Sequence, residues 1–128
     1  MAQRYIPGVC NIGPAEIRRR RFVGYAGFIV TFAMIAGFYY YSVPDALRLF
    51  VIIPAFGGAM GFLQAQLHFC AKFGMSGIFN VSDDTVKTES VEQAEWRAKD
   101  RQKALNILTL SLIIAWAFAL YAYFLPFA

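Results

Sequence analysis

The chain has 128 residues, 59% of them hydrophobic and 17% aromatic, a formal net charge of +4 and two cysteines. A soluble domain of this size lacks the interior volume to hide so many large side chains, and two cysteines are too few for a secreted disulfide scaffold. Eleven of the twelve Lys and Arg residues lie in two segments beside long apolar runs, which reads as membrane topology and argues against nucleic-acid binding.

One domain, 1–128, is expected. Residues 1–13 form an N-terminal arm, with Tyr5, Ile6 and Val9 placed to dip into an interface. Gly13-Pro14 reads as a helix start, because proline suits the first turn and Glu16 then meets the positive helix end. Helix 1 is expected over 14–41. Within it Arg18, Arg19, Arg20 and Arg21 meet the uncharged run Phe22 to Tyr41, and twenty apolar residues are what an α-helix needs to cross a bilayer. The arginines mark the cytoplasmic end and Tyr39 to Tyr41 the opposite boundary. No cleavable signal peptide is expected, since 1–21 contains no long apolar run and the span that follows is too long. Gly24, Gly27 and Thr31 line one stripe, and Ala33 and Gly37 a second, as small residues do where helices approach closely in lipid.

Ser42 to Asp45 is a tight turn that sends helix 2, expected over 44–73, back antiparallel. Arg48 is the one basic residue on the outer side, with Asp45 as an exposed partner. Pro54 is placed to kink this helix, and Gly57 and Gly61 form a GxxxG pair for close packing. Residues 74–89 read as a cytoplasmic loop, interfacial or re-entrant in part. Helix 3 is expected over 90–125, opened by Ser90 and Gln93 at capping-box spacing and braced by Glu95–Lys99 and Asp100–Lys103. Its charged first part is either a solvated stalk or a docking surface for a protein or for anionic headgroups. Arg101 and Lys103 lead into the uncharged run Ala104 to Leu125, in which Ser111, Ala115 and Ala119 make a small-residue stripe extended by Ala122, and Pro126 is the stop. Basic residues and tyrosines agree on an all-α integral membrane protein: three transmembrane helices, an antiparallel hairpin plus a long third helix with a cytoplasmic extension, N-terminus inside and C-terminus outside.

Residues 11–78 resemble the YgaP-type small inner-membrane domain, a two-helix hairpin family. The resemblance is carried by Asn11, Gly13, Glu16, Arg20 and Gly24 at the first helix, and by Cys70 and Gly77 at the end of the second. The family's Pro after the Cys is Ala71 here, and Val81 stands near the place of a further Cys, which removes the basis for two-cysteine chemistry at that end. The resemblance implies a helical hairpin in a bacterial inner membrane. Some members fuse it to a rhodanese-like sulfur-transfer domain, whose activity does not carry over to these residues. The third span lies outside the match.

Cys10, His68 and Cys70 are the soft ligands near the cytoplasmic boundary, a candidate metal or redox set that lacks the four ligands and pair spacing of a structural zinc site. His68 alone is a candidate haem or chlorophyll ligand, against the plainer reading of an interfacial hydrogen-bonding residue. No Asp, Glu, Lys or Arg falls inside the three spans, so a self-contained transporter or channel is not expected. No nucleophile–base pair or phosphate-cradling loop is evident. The expected role is therefore a non-catalytic accessory subunit of a larger membrane complex, its partner subunits and cofactors not identified by the sequence. The alternatives are a small redox or metal-binding protein using Cys10, His68 and Cys70, or a pigment- or haem-ligating helix.

Overall fold

The computed structural model describes residues 5–81 and 88–124, and it is mostly helical. Helix α1 spans Pro14–Tyr41. Gly13, in extended conformation, precedes it, Pro14 opens it and Glu16 lies in its first turn. It ends where Ser42 turns left-handed and returns its N–H to the Phe38 carbonyl; Val43 N–H bonds the same carbonyl at 3.2 Å. Pro44 then forbids continuation.

The chain reverses through α2 (Asp45–Arg48) and a 3-10 turn (Leu49–Val51) into α3 (Ile52–Leu67). The tight turn sits just ahead of Pro54, whose ring excludes the hydrogen bond one turn back, so the irregularity expected at this proline appears as a 3-10 segment. The second helix does not run to residue 73. His68 adopts the left-handed conformation (φ 53) and closes α3 on the Gln64 carbonyl. A separate short helix α4 (Ala71–Ser76) follows, and Gly77 ends it at φ 70, where an L side chain would be strained.

Part of the expected 74–89 loop is paired. Strand β1 (Ile78–Phe79) lies antiparallel to β2 (Glu89–Ser90), with Ile78 opposite Ser90. This captures Ser90 in a strand, and Val91 N–H bonds the Gly77 carbonyl at 2.8 Å. The capping box expected at Ser90 therefore does not form, and α5 begins four residues later, spanning Ala94–Tyr123. The expected stop at Pro126, and the middle of the loop at 82–87, lie outside the described residues.

Three helical segments, Pro14–Tyr41, Asp45–Leu67 and Ala94–Tyr123, are long and apolar enough to cross a membrane. The middle one packs against α1 on one side and α5 on the other. Between α1 and α3 the backbones nearly touch. A Cβ built on Gly27 would lie 2.5 Å from the Gly58 Cα, and one on Gly61 would lie 2.6 Å from the Gly24 backbone nitrogen. The working motif is thus two glycines three apart on each helix, Gly24 and Gly27 against Gly58 and Gly61. Gly57 does not share it: a Cβ there meets nothing within 4 Å. The reason is helical phase, since Gly57 lies about 100° around α3 from Gly58 and looks past α1. Thr31 is buried on the same side and bonds its hydroxyl back to the Gly27 carbonyl at 2.8 Å.

On α5 the buried residues Ala104, Ile107, Ser111, Ala115, Ala119 and Ala122 make one continuous stripe. Ala119 and Ala122 pack with Val51 at the tyrosine end, and Ala104 and Ile107 with Phe69 and Ala71 at the arginine end. Phe118 bridges to α1 through Phe28 and Phe32, with ring centroids 6.0 and 5.6 Å away.

Candidate functional site

Polar side chains that leave water must find partners or they cost several kcal/mol. Following the buried polar groups therefore locates whatever the fold builds with them, and apart from Thr31 and Ser111 within the helices they gather at two places.

The larger cluster is at the arginine end, where the N-terminal arm, α4 and the start of α5 meet. Asn11 is fully buried and ties three segments together. Its Nδ2 donates to the Cys70 carbonyl at 3.1 Å, and the Cys70 N–H donates to its Oδ1 at 2.6 Å. Its backbone N–H bonds the His68 carbonyl, and its carbonyl accepts from Asn80 N–H. Gly13 N–H completes the pattern on the Asn80 carbonyl at 2.8 Å. The arm is therefore a built part of the fold and does not simply dip into an interface.

Beside Asn11 stands a short charged chain. Glu16 is 1% exposed and accepts from Arg20 at 2.9 Å, with Arg19 3.9 Å away. The same Arg20 nitrogen lies 3.0 Å from Cys70 Sγ, and the guanidinium sits 5.8 Å above the Phe73 ring. Cys70 Sγ also caps α4 by accepting from Phe73 N–H. Burial pushes the Cys70 thiol above its ordinary range, and the Arg20 charge and neighbouring N–H groups offset that only in part. Burial likewise raises the Cys10 thiol, whose Sγ lies 3.5 Å from the Ile12 carbonyl. Neither cysteine is in a disulfide.

On the far side of the same knot Asp100 is fully buried. It accepts from the Tyr5 hydroxyl at 2.6 Å and from Gly8 N–H at 2.7 Å. The ion pair expected with Lys103 is replaced by these contacts, because Asp100 continues the inward stripe of α5 one turn beyond Ala104. Tyr5 stacks on Phe79 with centroids 4.3 Å apart and leans on Trp96. Burial and the Asp100 carboxylate both hold the Tyr5 phenol well above its usual range.

The second place is the tyrosine end. Arg48, expected to be exposed, is 3% exposed. Its Nη1 donates to the Ala122 and Tyr123 carbonyls at 3.0 and 3.1 Å, its Nε donates to the Val43 carbonyl, and its Nη2 pairs with Asp45. A guanidinium at a helix C-terminus satisfies carbonyls that have no intrahelical partner and meets the negative end of the dipole. Arg48 thereby fastens the α1–α2 turn to the end of α5.

The sequence-derived sites fare unequally. Cys10, His68 and Cys70 do not form a metal centre: among the described residues no group of three His, Cys, Asp or Glu is placed to hold an ion. The physical reason is that each thiol is engaged locally, while His68 serves through its backbone as a helix terminator. Gly24, Gly27, Gly61, Thr31, Ser111, Ala115 and Ala119 are packed inside the chain, and Gly57 is not. Arg18, Arg19, Arg21 and Arg101 are exposed and Lys103 half-buried, whereas Arg20 is drawn into the knot. Asn11, Tyr5, Asp100 and Arg48 were not singled out as site residues. Asp100 was accessible in principle by running the small-residue stripe back through Ile107 and Ala104. Asn11 and Tyr5 carry no local sign of their long-range partners.

Two open-sided cavities of about 300 and 340 Å³ adjoin at this end and share Arg19, Arg20, Met60 and Gln64 as walls. Comparison with protein-family models, with curated proteins and with solved structures finds no match.

Proposed function

We propose that the chain is a multi-pass protein of the bacterial inner membrane, N-terminus cytoplasmic and C-terminus periplasmic, that serves as a non-catalytic accessory subunit of a larger membrane assembly. What carries the reading is that most of the buried groups capable of chemistry are engaged in contacts within the chain itself. Glu16 and Cys70 anchor Arg20, Asp100 holds the arm, and Arg48 closes α5. The outward surface supports the membrane part. Only 11%, 33% and 28% of the three spanning windows are buried within the chain, leaving Phe22, Ile29, Phe32, Phe50, Ile53 and Trp116 uncovered. An apolar surface of that extent requires lipid or protein against it. The internal glycine contacts support a pre-formed hairpin that presents other faces outward, among them Ala33 and Gly37 on α1.

Purification in a mild detergent with identification of the co-purifying chains tests this. A larger complex that persists in Cys10→Ala, His68→Ala and Cys70→Ala variants is expected. A lone chain with full cellular function, or loss of a bound metal or activity in those variants with assembly intact, contradicts it.

A further inference from the structure

The two adjoining cavities make one groove of two characters. Its deep limb runs between α1 and α3 and is walled by Val23, Phe56, Gly57 and Met60. Its mouth, at the arginine end, is walled by Arg19, Arg20 and Lys72, with Glu16 as the one carboxylate among the described residues. Arg20 already satisfies Glu16, and the Arg19 side chain is 66% exposed with only a 3.9 Å approach to the same carboxylate. Lys72 is exposed. Among the described residues the mouth thus carries net positive charge that is not neutralised. Arg20 Nε is, in addition, buried without an acceptor among the described residues, an arrangement folded proteins rarely leave unfilled. A cationic rim over an apolar slot is complementary to an amphiphile with an anionic head. Guanidinium groups bind phosphate by paired, charge-assisted hydrogen bonds. The combined volume falls within the range of small-molecule pockets, about 300–1,000 Å³.

We propose that this groove is a specific site for an anionic phospholipid of the cytoplasmic leaflet, its phosphate held by Arg19, Arg20 and Lys72 and one acyl chain lying over Gly57 between α1 and α3. Gly57 then has a role that helix packing does not give it. Its missing side chain keeps the slot open, while Gly58 one position on keeps the helices together. The proposal rests on the membrane reading above, and it explains why a GxxxG-like run has one glycine that touches no neighbour.

The test uses the full chain purified in detergent, given phosphatidylglycerol or phosphatidylcholine with the same acyl chains, and native mass spectrometry to read retained lipid. Phosphatidylglycerol is expected to stay bound and phosphatidylcholine to be lost. Arg19→Gln with Lys72→Gln removes two exposed cations and is expected to weaken retention about fivefold per charge, about twenty-five-fold together. Gly57→Leu projects into the slot from a position where a Cβ meets nothing within 4 Å, and it is expected to abolish retention with the melting temperature unchanged or raised. Equal retention of both lipids, or indifference to both variants, overturns the proposal. So does a dimer that Gly57→Leu dissociates, since a second copy would then be the occupant. Wild-type chain that leaves the membrane fraction without detergent defeats the membrane reading itself, a separate outcome read in the same preparation.

Discussion

Gly27 and Gly57 invite the same substitution with opposite consequences. In Gly27→Ala the new methyl would stand 2.5 Å from the Gly58 Cα and N and 2.9 Å from the Pro54 carbonyl, against 3.4 Å for ordinary contact. The obstructing atoms are backbone, so no side chain can turn aside, and α1 and α3 must separate by about 0.9 Å, from 2.5 to 3.4 Å. Separation also loosens the Gly24–Gly61 contact one turn away. Overpacking of this kind costs about 1–3 kcal/mol, and the helical preference of Ala over Gly returns up to about 1 kcal/mol. With backbone obstructing at 2.5 Å the cost falls in the upper part of that range, about 2–3 kcal/mol, and the net loss is about 1–2 kcal/mol. Gly57→Ala keeps the propensity gain and meets nothing, so it should be neutral or stabilising by up to about 1 kcal/mol. Reversible unfolding in mixed micelles by SDS titration, followed by circular dichroism, measures both. Gly27→Ala as stable as wild type, or Gly57→Ala destabilised as much as Gly27→Ala, would refute the helix contact described here.

Tyr5→Phe removes a hydrogen bond to a buried carboxylate, worth about 1.5–3 kcal/mol locally, and should raise amide hydrogen exchange over residues 5–13 while leaving the spans unchanged. The Tyr5 phenol is held above its ordinary pKa of about 10. The unfolded arm therefore loses this proton before the folded one, so the contribution of Tyr5 to the arm's stability is constant below about pH 10 and falls above it, a component Tyr5→Phe should lack. Arg48→Ala leaves the Ala122 and Tyr123 carbonyls without their donor and should fray the last turn of α5, costing about 1.5–3 kcal/mol in the same unfolding assay; Asp45 is exposed and tolerates the loss. Both thiols are buried with raised pKa, so a maleimide at neutral pH should label neither cysteine in the folded chain and both after denaturation.

The three long helices are legible because their signal is local: apolar runs of fixed length, flanked in the first and third by cations at one end and tyrosines at the other. The stripes Gly24/Gly27 and Ser111/Ala115/Ala119 followed from helical spacing. Choosing Gly57 over Gly58 was beyond the sequence, because a run of adjacent glycines leaves the rotation of α3 undetermined until α1 fixes it. The end of α3 was misplaced because His68 in left-handed conformation looks like no terminator, and the start of α5 because the strand partner of Ser90 lies twelve residues away. The polar knot was illegible for a further reason. Asn11 with Cys70 and Asn80, and Tyr5 with Asp100, are long-range partners, and nothing local to any of these residues names its partner. Arg48 read as a surface cation until the end of α5 was found beside it.

Three spans with the arginine-end knot facing the cytoplasm is the claim on which the rest depends, and side-specific labelling tests it most directly. Tyr41→Cys and Glu92→Cys each place one exposed thiol at opposite ends of the bundle, with the wild-type chain as the unlabelled control. In intact cells an impermeant maleimide should label Tyr41→Cys and reach Glu92→Cys only after permeabilisation. Labelling of both from outside, or of Glu92→Cys alone, contradicts the account.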